Sequence, residues 1–156
     1  MSGPTDSEPP FDVWLTPEAA EDVKGLRGAH ARDVKKARAE LERIGCEAAP
    51  YRLSGADVEH LCVLKLRDNF RMVLLFPAEN EVAVLLVGPH DRENPDLDVY
   101  RRLYEALGVE IPDDEHRRPT CCEDGQPPVD PDLLEHLIDR TKELTRRKRR
   151  SRSSRK

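Results

Sequence analysis

Three apolar runs sit close together in the middle of the chain: residues 60–67, 70–76 and 81–88. They are joined by Asp68-Asn69 and by Pro77-Ala-Glu-Asn80. Linkers this short cannot carry a crossover, so the runs predict an antiparallel meander. The third run, Val82-Ala-Val-Leu-Leu-Val87, is apolar at every position. A strand with one wet face would alternate; this one predicts a strand inside the sheet with both faces covered. Helices must cover at least one of those faces, with helices or a partner on the other.

The flanking sequence supplies helices. Residues 11–16, Phe-Asp-Val-Trp-Leu-Thr, alternate as a half-buried strand does. Thr16 can then cap a helix, Pro17 suits its first position, and Glu18, Glu21 and Asp22 suit its positive end. Gly25 and Gly28 break or bend it. Val34, Ala37, Leu41 and Ile44 recur at helical spacing, so a second helix is expected from about His30 to Ile44, stopped by Gly45. The two read as a helical hairpin. Residues 50–55 and 88–95 read as loops. A last helix from Asp98 to Leu107 puts Val99, Leu103, Ala106 and Leu107 on one side, and one of Tyr100 and Tyr104 in the core. The fold class is α+β: a helical hairpin packed on a small antiparallel sheet, in the order β-α-α-β-β-β-α.

Charged residues make up 37% of the 156, well above the usual quarter. Their position explains this. All seven aromatics fall between Phe11 and Tyr104, five of the 13 prolines fall between Pro112 and Pro131, and eight of the last 11 residues are Lys or Arg. The expected organisation is a loose leader (1–10), a domain (11–108), a Pro-rich linker (109–130), and an amphipathic helix with a basic tail (131–156). No apolar run approaches the ~18 residues of a membrane helix. The acidic N-terminus is no signal peptide. Cys46, Cys62, Cys121 and Cys122 lack paired spacing, so a reduced, cytoplasmic chain is expected. Cys121-Cys122 with His116 does not make a zinc-binding spacing, and there is no glycine-rich phosphate loop, so no metal or cofactor is expected.

Several strings then fall in a telling order: Leu53-Ser-Gly55 before the sheet, Leu64-Lys-Leu-Arg67, Phe70-Arg-Met-Val-Leu-Leu75, and Leu86-Val-Gly-Pro-His90, with Tyr100 downstream. Over residues 11–108 the chain resembles the RelE/ParE superfamily of bacterial toxins. The resemblance implies a toxin of a type II toxin-antitoxin system, an endoribonuclease that cuts ribosome-bound mRNA without a cofactor. It implies a cognate antitoxin protein, the ribosome and mRNA as partners, and no membrane. Two other functions are implied by the same fold: a non-enzymatic, ParE-like inhibitor of DNA gyrase, and an inactive protein-interaction module.

Metal-free RNA cleavage needs the 2′-hydroxyl deprotonated, the phosphorane charge stabilised and the 5′-oxygen protonated. Lys65, Arg67 and Arg71 suit the second task, His90 suits proton transfer, and Tyr100 suits stacking or assistance. Lys65 and Arg67 alternate onto one strand face. A three-residue loop would set Arg71 opposite Arg67 on that face; a two-residue loop would pair Arg67 with Phe70 and turn Arg71 away. Arg92 is expected to share the phosphate role. Residues 11–110 carry five more acids than bases. The basic residues Arg146, Arg147, Lys148, Arg149 and Arg150 are therefore expected to supply affinity for RNA.

Overall fold

The computed structural model describes residues 10–49, 51–53, 60–91, 93–109, 127–133, 135–137 and 139. Arg92, the pair Cys121-Cys122 and the basic tail lie outside the described residues, as do the leader (1–9) and most of the expected linker.

Thr16 ends β1 (Asp12–Leu15) and caps α1 (Pro17–Lys24) by accepting the Ala19 N–H through its hydroxyl. That hydroxyl also donates to the Leu85 carbonyl at 2.9 Å, which locks the turn to the sheet. Three residues later α2 (Gly28–Ile44) begins. Gly45 ends it at φ 59°, ψ −131°, a region that residues with a side chain rarely adopt. A 3-10 turn (Gly45–Ala48) leads to β2 (Tyr51–Arg52). This short strand occupies part of what reads as a loop in the sequence. The three apolar runs become β3 (Leu61–Lys65), β4 (Phe70–Ala78) and β5 (Glu81–Pro89), and α3 (Val99–Leu107) follows.

The five strands form one sheet in the order β1-β5-β4-β3-β2. The meander is antiparallel as expected, but β1 runs parallel to β5, Val13 opposite Val82 and Leu15 opposite Val84. The sheet is therefore mixed, not antiparallel throughout. Between β1 and β5 lie two helices and three strands, ample chain for a parallel return.

Each face of the sheet has its own core. On one side Val34, Ala37 and Leu41 of α2 meet Cys62, Leu64, Met72, Leu74, Phe76, Val82 and Val84. On the other, Val99, Leu103, Tyr104 and Ala106 of α3 meet Leu61, Val73, Leu75, Ala83, Leu85 and Leu86. All of Val82–Val87 is at most 5% exposed. Burying each Val or Leu fully contributes roughly 1.5–3 kcal/mol, so this strand anchors both layers. Of the two tyrosines on α3, Tyr104 is buried and Tyr100 is partly buried.

The C-terminal region also joins the domain. β3 begins opposite Leu75, so the next β4 residue, Phe76, lacks a β3 neighbour. The chain returns there: Val129 bridges Phe76, and the Asp130 N–H donates to the Phe76 carbonyl at 2.9 Å. Asp130 then accepts the Leu133 N–H and pairs with His60 Nδ1 at 2.8 Å. Residues 131–133, 135–137 and 139 are helical, and Leu137 is buried in the α3-side core. The amphipathic segment thus packs on its own sheet, and the last residues of the expected linker belong to the domain.

Cys46 and Cys62 are disulfide-bonded, contrary to the expectation of a reduced chain. Among the described residues no helix is long and apolar enough to cross a membrane.

Gly45 gives a sharp stability test. A Cβ there would run into the Phe11 ring and sit at positive φ, whereas one at Gly25 would make only ordinary contacts at negative φ. Gly45→Ala is expected to cost about 1–3 kcal/mol in a urea titration. Gly25→Ala should leave the midpoint nearly unchanged or raise it slightly.

Candidate functional site

Two extra residues, one between β3 and its turn and one within β5, decide which charged side chains share a face. The first is at the β3–β4 turn. Asp68 and Asn69 have φ values of 55° and 62°, and the Arg67 carbonyl accepts the Phe70 N–H, so these two residues make the tight turn. Yet Lys65, not Leu66, stands opposite Arg71. Leu66 and Arg67 together oppose Phe70, which is a bulge. Neither register expected from the sequence occurs. Lys65 and Arg71 are directly opposed on the α3 face. Arg67 is turned the other way, where its guanidinium binds Asp33 of α2 at 2.6 and 3.3 Å. That bond holds the Asp33 carboxyl below its usual value and Arg67 above its own. Arg67 therefore does not share a site with Lys65, and the alternation that joins them in sequence is broken by the bulge.

The second extra residue lies in β5. Val73 pairs with Leu86 and Leu74 with Val84, so Leu85 is the inserted position. Leu85 and Leu86 both enter the α3-side core, and the alternation inverts from there. Gly88, opposite Arg71, consequently faces α3, with the Val99 side chain 3.8 Å from where its Cβ would stand. His90, two residues on, follows it to the same face.

Four of the five residues expected in a catalytic site therefore converge: Lys65, Arg71, His90 and Tyr100. Tyr100 is the hub. Its ring meets that of His90 edge-on at 4.8 Å between centroids, and its hydroxyl is 3.4 Å from that of Tyr51. The Lys65 ammonium lies 5.3 Å from the Tyr51 ring centroid, within cation–π range. Arg71 donates from one terminal nitrogen to the Phe70 carbonyl, and its buried Nε has no partner among the described residues. Burial pushes the Tyr100 phenol well above its ordinary value, with Tyr51 adding to the rise and Arg71 opposing it. A phenol held neutral in this way donates a hydrogen bond and does not act as a base near neutral pH.

Two members of the cluster escape a reading of the sequence. Tyr51 lies in an apparent loop, and only its pairing with Val63 brings it to the sheet. Asp98 is legible as a helix start but not as a partner of His90. Its carboxylate caps α3 by accepting the Arg101 N–H, and it also accepts from His90 Nδ1 at 2.9 Å and from the Asp91 N–H at 2.7 Å.

A polar clamp fixes α3 beside these residues. Asp22 of α1 accepts the Val87 N–H at 3.0 Å, beyond the end of β1, and receives Arg102 of α3 at 2.9 and 3.0 Å. Burial raises the Asp22 pKa despite Arg102 and the Val87 bond. Among the described residues, no group of three or more His, Cys, Asp or Glu is placed to hold a metal ion.

The Tyr100 shift has a measurable sign. The unfolded chain releases this proton first as pH climbs, so the stability it contributes is complete below about pH 10 and declines above that. The buried Tyr104 shifts in the same direction. Melting temperatures should fall at alkaline pH from about pH 10 upward, and less steeply for Tyr100→Phe.

No protein-family model matches the chain, and no curated protein is similar enough to place it in a family.

Proposed function

We propose that this protein is a toxin of a type II toxin-antitoxin system, a metal-independent endoribonuclease that cuts ribosome-bound mRNA. The observation that carries the reading is the convergence of two cations, an imidazole and a neutral phenol on one face of a rigid sheet. Metal-free RNA cleavage needs these groups together. Arg71 and Lys65, directly opposed on β4 and β3, offer charge for the phosphorane. His90 moves protons. Tyr100, kept protonated by burial, donates a hydrogen bond or stacks on a base. Positions on strands and at a helix start suit such chemistry because they are held in place by packing. The cognate antitoxin, the ribosome and mRNA are the partners in this reading, with Arg92 and the basic residues 146–150 adding phosphate contacts.

The net acidity of residues 11–110 favours a second reading, a protein-binding member of the same fold such as a gyrase inhibitor. One experiment separates them. The protein is added to a translating bacterial extract, and mRNA 5′ ends are mapped by primer extension. New cuts that require translation are expected. Arg71→Ala should reduce cutting by about 10²–10³-fold, the size of a lost transition-state contact. His90→Ala should reduce it by about 10²–10⁴-fold. Arg67→Ala, on the other face of the sheet, should leave cutting unchanged. Intact mRNA in the presence of folded protein would sink the nuclease reading and favour a protein target.

A further inference from the structure

We propose that Asp98 is the positioning residue that makes His90 a base. This deepens the nuclease reading and rests on it for its meaning, but its geometry stands independently. Asp98 is a buried acidic residue, its side chain 11% exposed, in a domain whose charges are mostly at the surface. A helix cap alone does not require burial, and a cap uses one oxygen. Here Oδ2 takes the Arg101 N–H as cap, and Oδ1 is committed to the Asp91 N–H and to His90 Nδ1. A carboxylate only accepts, so the imidazole must place its proton on Nδ1. In the neutral ring this leaves the lone pair on Nε2, the nitrogen that Asp98 does not hold.

The same carboxylate fixes two groups at once. It begins α3 two residues before Tyr100, so the helix start, the ring of Tyr100 and the ring of His90 are set by one anchor. When an RNA 2′-hydroxyl reaches His90, its proton passes to Nε2 and the oxygen's electron pair forms the new bond to phosphorus. The bond to the 5′-oxygen breaks, and that oxygen leaves with its electron pair and takes a proton from solvent. Asp98 keeps its own charge throughout and stabilises the imidazolium that results.

The test separates capping from orientation. Asn and Ser both cap helices about as well as Asp, so Asp98→Asn and Asp98→Ser should keep α3 and fold, at a melting temperature lowered by the lost bonds to Asp91 and His90. Neither fixes the tautomer: an amide can also donate to the ring, and a hydroxyl is too short to reach it. The readout is the tautomer of His90 by ¹⁵N NMR of the full chain, followed across its titration. The charged and titratable groups around the ring are Asp98 and Tyr100 on α3, Asp91 beside it, and Arg71 across from Gly88 on β4. The native protein should carry the proton on Nδ1. Both variants should shift population to the Nε2-protonated form and reduce RNA cutting by about a hundredfold or more. A native His90 protonated on Nε2, or a tautomer ratio unchanged in both variants, would overturn the assignment. If the native protein cuts no RNA, the nuclease reading falls, while the tautomer result still decides the role of Asp98.

Discussion

The site depends on strand register. A side chain on a strand faces one side or the other, and one inserted residue reverses everything beyond it. Two such insertions set the site, and a third register shift, between Leu75 and Ala78, lies at the far end of β4. The bulge before the Asp68-Asn69 turn leaves Lys65 facing Arg71 and sends Arg67 to α2. The bulge at Leu85 brings Gly88, and His90 after it, to the side where α3 packs. Remove either, and the cluster loses a member to the opposite face. Bulges are common where a sheet must re-aim a functional side chain, and here each sits one or a few residues from the groups it directs.

A register holds only if something resists slippage. Here that is the apolar content of β5 and the polar clamps at its end. Six consecutive buried residues commit both faces of the strand to cores, so a one-residue slip would move large side chains into the wrong layer. Past β1, the strand edge would expose the Val87 N–H. Asp22 accepts it, and Arg102 neutralises Asp22 from the other side of the sheet. An ion pair of this kind adds little net stability by itself, but breaking it would leave a partly buried charge uncompensated. It therefore constrains where α3 can lie, and through α3 the positions of Asp98 and Tyr100.

Much of the architecture was legible in the sequence because it rests on local chemistry. Thr16-Pro17 announces α1, Gly45 ends α2, and the short linkers define the meander. The parallel placement of β1 was not legible, since nothing within residues 11–16 encodes which strand they will join. β2 was missed because two residues carry no periodic signal. The site was legible in composition and not in register. Lys65, Arg71, His90 and Tyr100 can each be nominated from the strings around them, but a bulge leaves no mark in a run such as Val-Leu-Leu-Val, where every residue is apolar. The same blindness placed Arg67 with Lys65. Asp98 could have been read further: an acid at a helix start, eight residues after a histidine that ends a strand, can turn back to it when the intervening loop is compact.

Lys65, Arg71, His90 and Tyr100 occupy one face of the sheet while Arg67 occupies the other. Side-chain nuclear Overhauser contacts in the full chain test it most directly. Contacts are expected between the rings of His90 and Tyr100 and between those of Tyr51 and Tyr100, with Arg67 contacting α2 near Asp33. A His90 ring in contact with α2 residues, or Arg67 in contact with Tyr51 or Tyr100, would contradict it.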